Sequence, residues 1–185
     1  LVVVLVVKAY GKVSKQKGYS LQQQINQLEK LQKNLDKDLE EGNVPKQQYY
    51  SLQGKLSERM SLLRKELIQT LGLETARRLL LRFGFADGYH DAINMRDQFA
   101  WSDPLEYVRA GATVHTLEGI VKAEFGRLEF SVETGLFEAE LRWHNSYEAE
   151  QHLEHFGKSD QPVCWSLVGY VSGYASAALG IEVYF

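Results

Sequence analysis

The sequence predicts an α+β fold: a helical lead-in hairpin, then a mixed domain in which an antiparallel β-hairpin packs against helices. Three observations carry that prediction. Apolar residues recur at heptad-like spacing from Leu21 to Leu39, and on a second stripe from Tyr49 to Leu67, which is the period of helices with one buried side. Between residues 120 and 143 the pattern changes to alternation on either side of Glu133-Thr134-Gly135, which reads as two strands and a tight turn. From Val163 to Leu179 the chain is apolar, with small residues at four-residue steps.

Composition bounds the function. The 185 residues are 44% hydrophobic and 11% aromatic, ample for a packed core. A formal net charge of −3 leaves no broad basic field for phosphates, so no direct nucleic-acid contact is expected from this chain. The single cysteine, Cys164, excludes an intrachain disulfide scaffold, and one thiol cannot complete a zinc site that wants four ligands.

Three segments are expected: an apolar run and basic linker over 1–19, a helical hairpin or coiled-coil connector over 20–59, and the main domain over 60–185. Leu1–Val7 is continuously apolar and is followed by Lys8, Lys12, Lys15 and Lys17. Seven residues cannot span a bilayer, which takes roughly 20. The basic flank nevertheless fits the end of a membrane helix, and valines fit a strand, so both readings stand. Both ends are read as cut, since the chain starts on Leu1 and stops on Phe185, the last residue of the strand-like Ile-Glu-Val-Tyr-Phe.

From Ser20 a helix carries Leu21, Ile25, Leu28, Leu35 and Leu39 on one stripe, and Glu41-Gly42-Asn43-Val44-Pro45 stops it. The second arm presents Tyr49, Leu52, Leu56, Met60, Leu63 and Leu67. An antiparallel hairpin in which each stripe hides the other is favoured over a coiled coil, with a homodimer as a further expectation. That helix ends at Gly72. Leu73–Phe83 is expected to form another, closed by Gly84, with Leu79, Leu80 and Phe83 inward and Arg77, Arg78 and Arg82 in water. Asp87–Phe99 reads as a further helix, Trp101–Pro104 as a turn, and Leu105–Ala110 as a short helix closing on Gly111.

The strands come next. Val121, Ala123 and Phe125, then Leu128, Phe130 and Val132, point inward from the first; Phe137, Ala139, Leu141 and Trp143 share one face of the second. Asn145, with Glu148 three residues on, is expected to cap a helix that runs to Gly157. His144, His152 and His155 are expected to face solvent. After the turn at residues 159–162, Val163–Leu179 reads as a central buried helix whose Gly169, Ser172, Gly173, Ser176 and Ala177 let a backbone or a ligand come close.

At these residues the chain is similar to a known family. Pro162-Val163-Cys164-Trp165 followed by Gly169-Tyr170, Ser172-Gly173-Tyr174-Ala175-Ser176, together with Val114-His115-Thr116-Leu117-Glu118-Gly119, resembles the sensor domain of NtrC-type activators of aromatic catabolism. These are phenol- and xylene-responsive regulators whose sensor ends in a vinyl-reductase-like module. The likeness covers roughly Met60–Phe185, while the strand-rich opening usual in that family is replaced here by an apolar run and a helical hairpin.

The resemblance implies a sensory domain that binds a small aromatic, phenol-like effector in a closed pocket and so releases an attached ATPase module from repression. It implies that His115 and Trp143 hydrogen-bond the phenolic hydroxyl, and that Tyr170 and Tyr174 line the pocket. Val108, Phe125 and Leu141 are wall candidates. Taken singly, a histidine of this kind is more often solvated and a strand tryptophan more often plain core. The family's cysteine at the position of Cys164 helps to hold a structural zinc, whose other ligands would lie past Phe185. No nucleotide-binding glycine motif, catalytic carboxylate pair or nucleophile with a base is present, so an enzyme is not expected. The implied location is the cytoplasm. A membrane-tethered vinyl-reductase-like binding domain with a different output is the alternative.

Overall fold

The structure is a computed structural model that describes residues 20–185 except 22, 26, 29, 32, 33, 36, 40, 118–120 and 132, and gives the backbone alone at 57 and 117. The apolar run Leu1–Val7, and with it the choice between a strand and a membrane helix, lies outside the described residues. No helix among the described residues is long and apolar enough to cross a membrane. The chain divides after Arg77 into two compact units.

In the first unit the described residues between 20 and 39 are helical and the chain turns at Gly42, which takes φ 75°. Helix α1 (Lys46–Leu71) returns alongside. Arg59 donates to the side-chain oxygen of Gln24 at 3.4 Å, a pairing only antiparallel arms can make. Leu21, Ile25 and Leu35 on one arm, and Tyr49, Met60, Leu63 and Leu67 on the other, are buried. The two stripes therefore hide each other, as expected. The N–H of Gly72 caps α1 by donating to the Ile68 carbonyl at 2.9 Å.

Helix α2 (Leu73–Gln98) runs unbroken through Gly84, where the sequence suggested a stop. The reason lies in α5 (Trp165–Leu179). A Cβ on Gly84 would sit 2.0 Å from the Ser166 carbonyl oxygen, and one on Gly88 2.1 Å from that of Tyr170. Reciprocally, a Cβ on Gly169 would meet the Leu81 carbonyl oxygen at 2.1 Å and one on Gly173 that of Phe85 at 2.0 Å. Two glycine pairs at four-residue spacing thus interlock, and the helices touch backbone to backbone. Glycine in a helix interior costs about 1 kcal/mol relative to alanine, and here the close packing outweighs it.

Helix α3 (Pro104–Leu117) is also longer than expected, passing through Gly111. Pro104 opens it, and the Asp103 carboxylate accepts from the Leu105 N–H at 2.9 Å, as an N-cap does. Gly111 is there for room: its hypothetical Cβ would lie 2.8 Å from the Tyr174 ring. Strands β1 (Lys122–Ser131) and β2 (Leu136–His144) form an antiparallel pair joined at Gly135, φ 67°. The register breaks between Phe125 and Leu128. That bulge absorbs the odd spacing between the two inward sets and keeps both on one face. Val132 lies outside the described residues.

Helix α4 (Tyr147–Phe156) is capped by Ser146, whose hydroxyl accepts from the Ala149 N–H, rather than by Asn145, which takes φ 58° in the turn before it. Glu148 closes no capping box either. It is fully buried, and its carboxylate reaches the start of α5, accepting from the Ser166 N–H at 3.3 Å, the Ser166 hydroxyl at 3.1 Å and the Leu167 N–H at 3.2 Å. One helix therefore caps another. His152 is buried too, its ring against Phe156 and Trp165, whereas His144 is exposed and His155 half-buried.

The last residues do not form a strand. Val183 donates its N–H to the Ser176 hydroxyl at 2.9 Å, and Phe185 its N–H to the Ser172 hydroxyl at 3.2 Å. The serines of α5 therefore bind the segment that follows it and lay Phe185 back over the helix.

Candidate functional site

Helix α3 packs against β1 and against α5. Its buried positions Tyr107, Val108, Gly111, Ala112 and His115 recur at helical spacing and so form one continuous face. Where that face meets the hairpin and α5 there is a small cavity. Val108, Phe125, Leu141, Tyr170 and Tyr174 line it, together with Gly111, Ala112, Val171, Ala175 and Phe185, whereas His115 and Trp143 are not among its lining residues. The lining is predominantly apolar and aromatic, the usual character of a site for a small ring.

The cavity measures about 20 Å³. One water needs about 10–15 Å³ on this scale, whereas a benzene-binding cavity is on the order of 150 Å³. The walls are therefore closed, and a ring enters only if some of them move. Phe185 is 47% exposed, while the other lining residues are buried or half-buried, so Phe185 has the least packing to lose.

His115 is 2% exposed and stacks on Tyr170, ring centroids 3.7 Å apart. It sits on a helix, not in the loop the sequence suggested, one turn beyond Gly111 and Ala112. The loop was inferred by stopping the helix at Gly111; the part of that motif over 118–120 lies outside the described residues. Trp143 lies two residues along β2 from Leu141 and pairs across the sheet with Ala123, as Leu141 pairs with Phe125. Period-2 geometry puts all four on one face, and the small Ala123 leaves room for the indole. The indole N–H is buried and has no hydrogen-bond partner among the described residues, a state that costs about 1–3 kcal/mol until an acceptor arrives.

Two buried tyrosines, Tyr170 and Tyr174, line the cavity, and a third, Tyr107, packs edge-on against Tyr174. The Tyr107 hydroxyl donates to the Ala92 carbonyl, and that of Tyr170 to the Asp91 carboxylate at 3.1 Å. The Tyr174 hydroxyl is buried without a partner among the described residues. Burial, with Tyr107 and Asp91 adding to it, raises the Tyr174 pKa well above the ordinary tyrosine value, so the group stays a neutral O–H donor. Asp91 was not singled out from the sequence: nothing local distinguishes it from any carboxylate on a wet helix face.

Cys164 is half-buried at the start of α5, its sulfur 3.2 Å from the Ser146 hydroxyl. Among the described residues no group of three or more His, Cys, Asp or Glu is placed to hold a metal ion.

The chain is similar to known proteins. A family profile described as activator of aromatic catabolism matches residues 30–131. The phenol regulator MopR of Acinetobacter guillouiae is 40% identical over 121 residues, which are 65% of this chain and 22% of that protein. The transcriptional regulatory protein XylR of Pseudomonas putida is 33% identical over 122 residues, 66% of this chain and 22% of its own length. The chain thus spans about a fifth of these relatives. The crystal structure of the phenol-responsive sensory domain of the transcription activator PoxR with phenol superposes with a TM-score of 0.63 at 35% identity, covering 67% of this chain and 62% of that one.

Proposed function

The chain belongs to the family of activators of aromatic catabolism, and on that premise we propose that it is the effector-sensing domain of a transcriptional regulator. It binds a small phenol-like ring in the cavity between α3, α5 and the β-hairpin, and occupancy relieves repression of an attached ATPase module. The observation that carries this is the Trp143 indole, a buried N–H without a partner among the described residues, on the sheet face it shares with Phe125 and Leu141.

Burial of the ring supplies the affinity and the polar groups supply orientation. The indole N–H can only donate, so it takes a lone pair of the phenolic oxygen; a neutral His115 imidazole can accept the phenolic proton. A ring without a hydroxyl offers the indole N–H no acceptor and is discriminated against. The cytoplasm, a homodimer built on the helical hairpin, and Cys164 as one zinc ligand of the complete protein belong to the same proposal. Membrane tethering finds no support among the described residues.

Calorimetric titration with phenol tests the site. His115→Ala and Trp143→Phe should each weaken binding about tenfold, the worth of one good hydrogen bond to a buried group, with the melting temperature little changed for Trp143→Phe. Unchanged affinity in both variants would remove the pocket assignment.

A further inference from the structure

We infer that Asp91 is a positioning residue for effector recognition, acting through Tyr170 on the imidazole of His115. The inference rests on the proposed role of His115 as an effector contact.

Three helices meet here. Asp91 is on α2, Tyr170 on α5 and His115 on α3. The Tyr170 hydroxyl donates to the Asp91 carboxylate at 3.1 Å, linking residues 79 apart in sequence. The same tyrosine ring is 3% exposed, lines the cavity, and lies 3.7 Å centroid to centroid from His115 at an interplanar angle of 30°. Tyr170 both stacks on the imidazole and is held by a carboxylate; hydrogen bonds to such groups are among the stronger ones.

The consequence follows from hydrogen-bond geometry. The ring nitrogens of imidazole donate and accept in the ring plane, and a hydrogen bond weakens steeply as its angle departs from linear. A stacked partner that cannot swing keeps the imidazole plane aimed. With the Asp91 carboxylate removed, the Tyr170 ring gains freedom about its side-chain torsions and His115 loses its backing. The walls formed by Val108, Phe125 and Leu141 are untouched, so the larger loss is the preference for a hydroxyl-bearing ring rather than the capacity to bind rings.

Titration of phenol and of toluene into the wild-type chain and into Asp91→Ala, Tyr170→Phe and Asp91→Asn reads this directly. Asp91→Ala and Tyr170→Phe should lower the phenol-over-toluene affinity ratio about tenfold, the share of one hydrogen bond, while in Asp91→Ala, which changes no lining residue, toluene affinity stays within about twofold. Asp91→Asn keeps an acceptor oxygen and should retain most of the ratio. In a His115→Ala background, Asp91→Ala should change the ratio no further, because the group it positions is gone. Equal weakening of both ligands would show a purely structural role and overturn the inference, as would an unchanged ratio. A wild-type chain without preference for phenol would instead overturn the effector reading itself, and the inference with it.

Discussion

Gly84→Ala should destabilise the chain by about 3 kcal/mol, at the upper end of what overpacking a core usually costs. Alanine is the better helix former, so on local propensity the change would stabilise. The new methyl would, however, be built 2.0 Å from the Ser166 carbonyl oxygen and 2.9 Å from the Tyr170 nitrogen. Both are backbone, so no side chain can rotate away, and α2 and α5 must separate. At about 2–4 °C per kcal/mol for a chain of this size, thermal melting should drop by roughly 6–12 °C. Gly54→Ala is the control. It lies within α1 and its Cβ would meet nothing within 4 Å, so it should stabilise by about 0.5–1 kcal/mol. Gly84→Ala and Gly173→Ala combined should cost less than their sum, since one separation relieves both collisions. A Gly84→Ala chain that melts with or above wild type would remove the backbone-to-backbone seam from the account of this fold.

Glu148→Ala should cost about 3 kcal/mol, because it leaves two backbone N–H groups and a hydroxyl at the buried start of α5 without their acceptor. Glu148→Gln should lose about half as much. Its amide oxygen can serve one side of the cluster, but its NH₂ then faces an N–H that also needs an acceptor. Urea unfolding measures both, with the exposed Glu150→Ala as the near-neutral reference. Amide exchange in the first turn of α5 should accelerate more than elsewhere. Because α5 carries Tyr170 and Tyr174, phenol affinity should fall together with stability. If Glu148→Ala matches Glu150→Ala, the carboxylate is not what anchors that helix.

Much of the fold was readable from local pattern. The heptad stripes gave the hairpin, the alternation around Gly135 gave the two strands, and the apolar run after Val163 gave the buried helix. Of the residues that line the cavity, Tyr170 and Tyr174 were named by family likeness, and Val108, Phe125 and Leu141 as wall candidates not separable from core. The errors share one cause. Gly84 and Gly111 were read as helix ends, although their role is to let Ser166, Tyr170 and the Tyr174 ring come near. Asn145 and Glu148 were read as a local capping box, although the carboxylate serves a helix eighteen residues away.

The sequence by itself therefore determined where the long helices and the β-hairpin lie, although not the irregular end at 181–185, because those follow from periodicity within a few turns. Only the tertiary structure decided that helices run through their glycines, that His115 stands on a helix against Tyr170, and that Asp91 and Glu148 have distant partners. A glycine's preference for ending a helix is worth only about 1 kcal/mol, and a contact across 79 residues leaves no mark on the residues next to it.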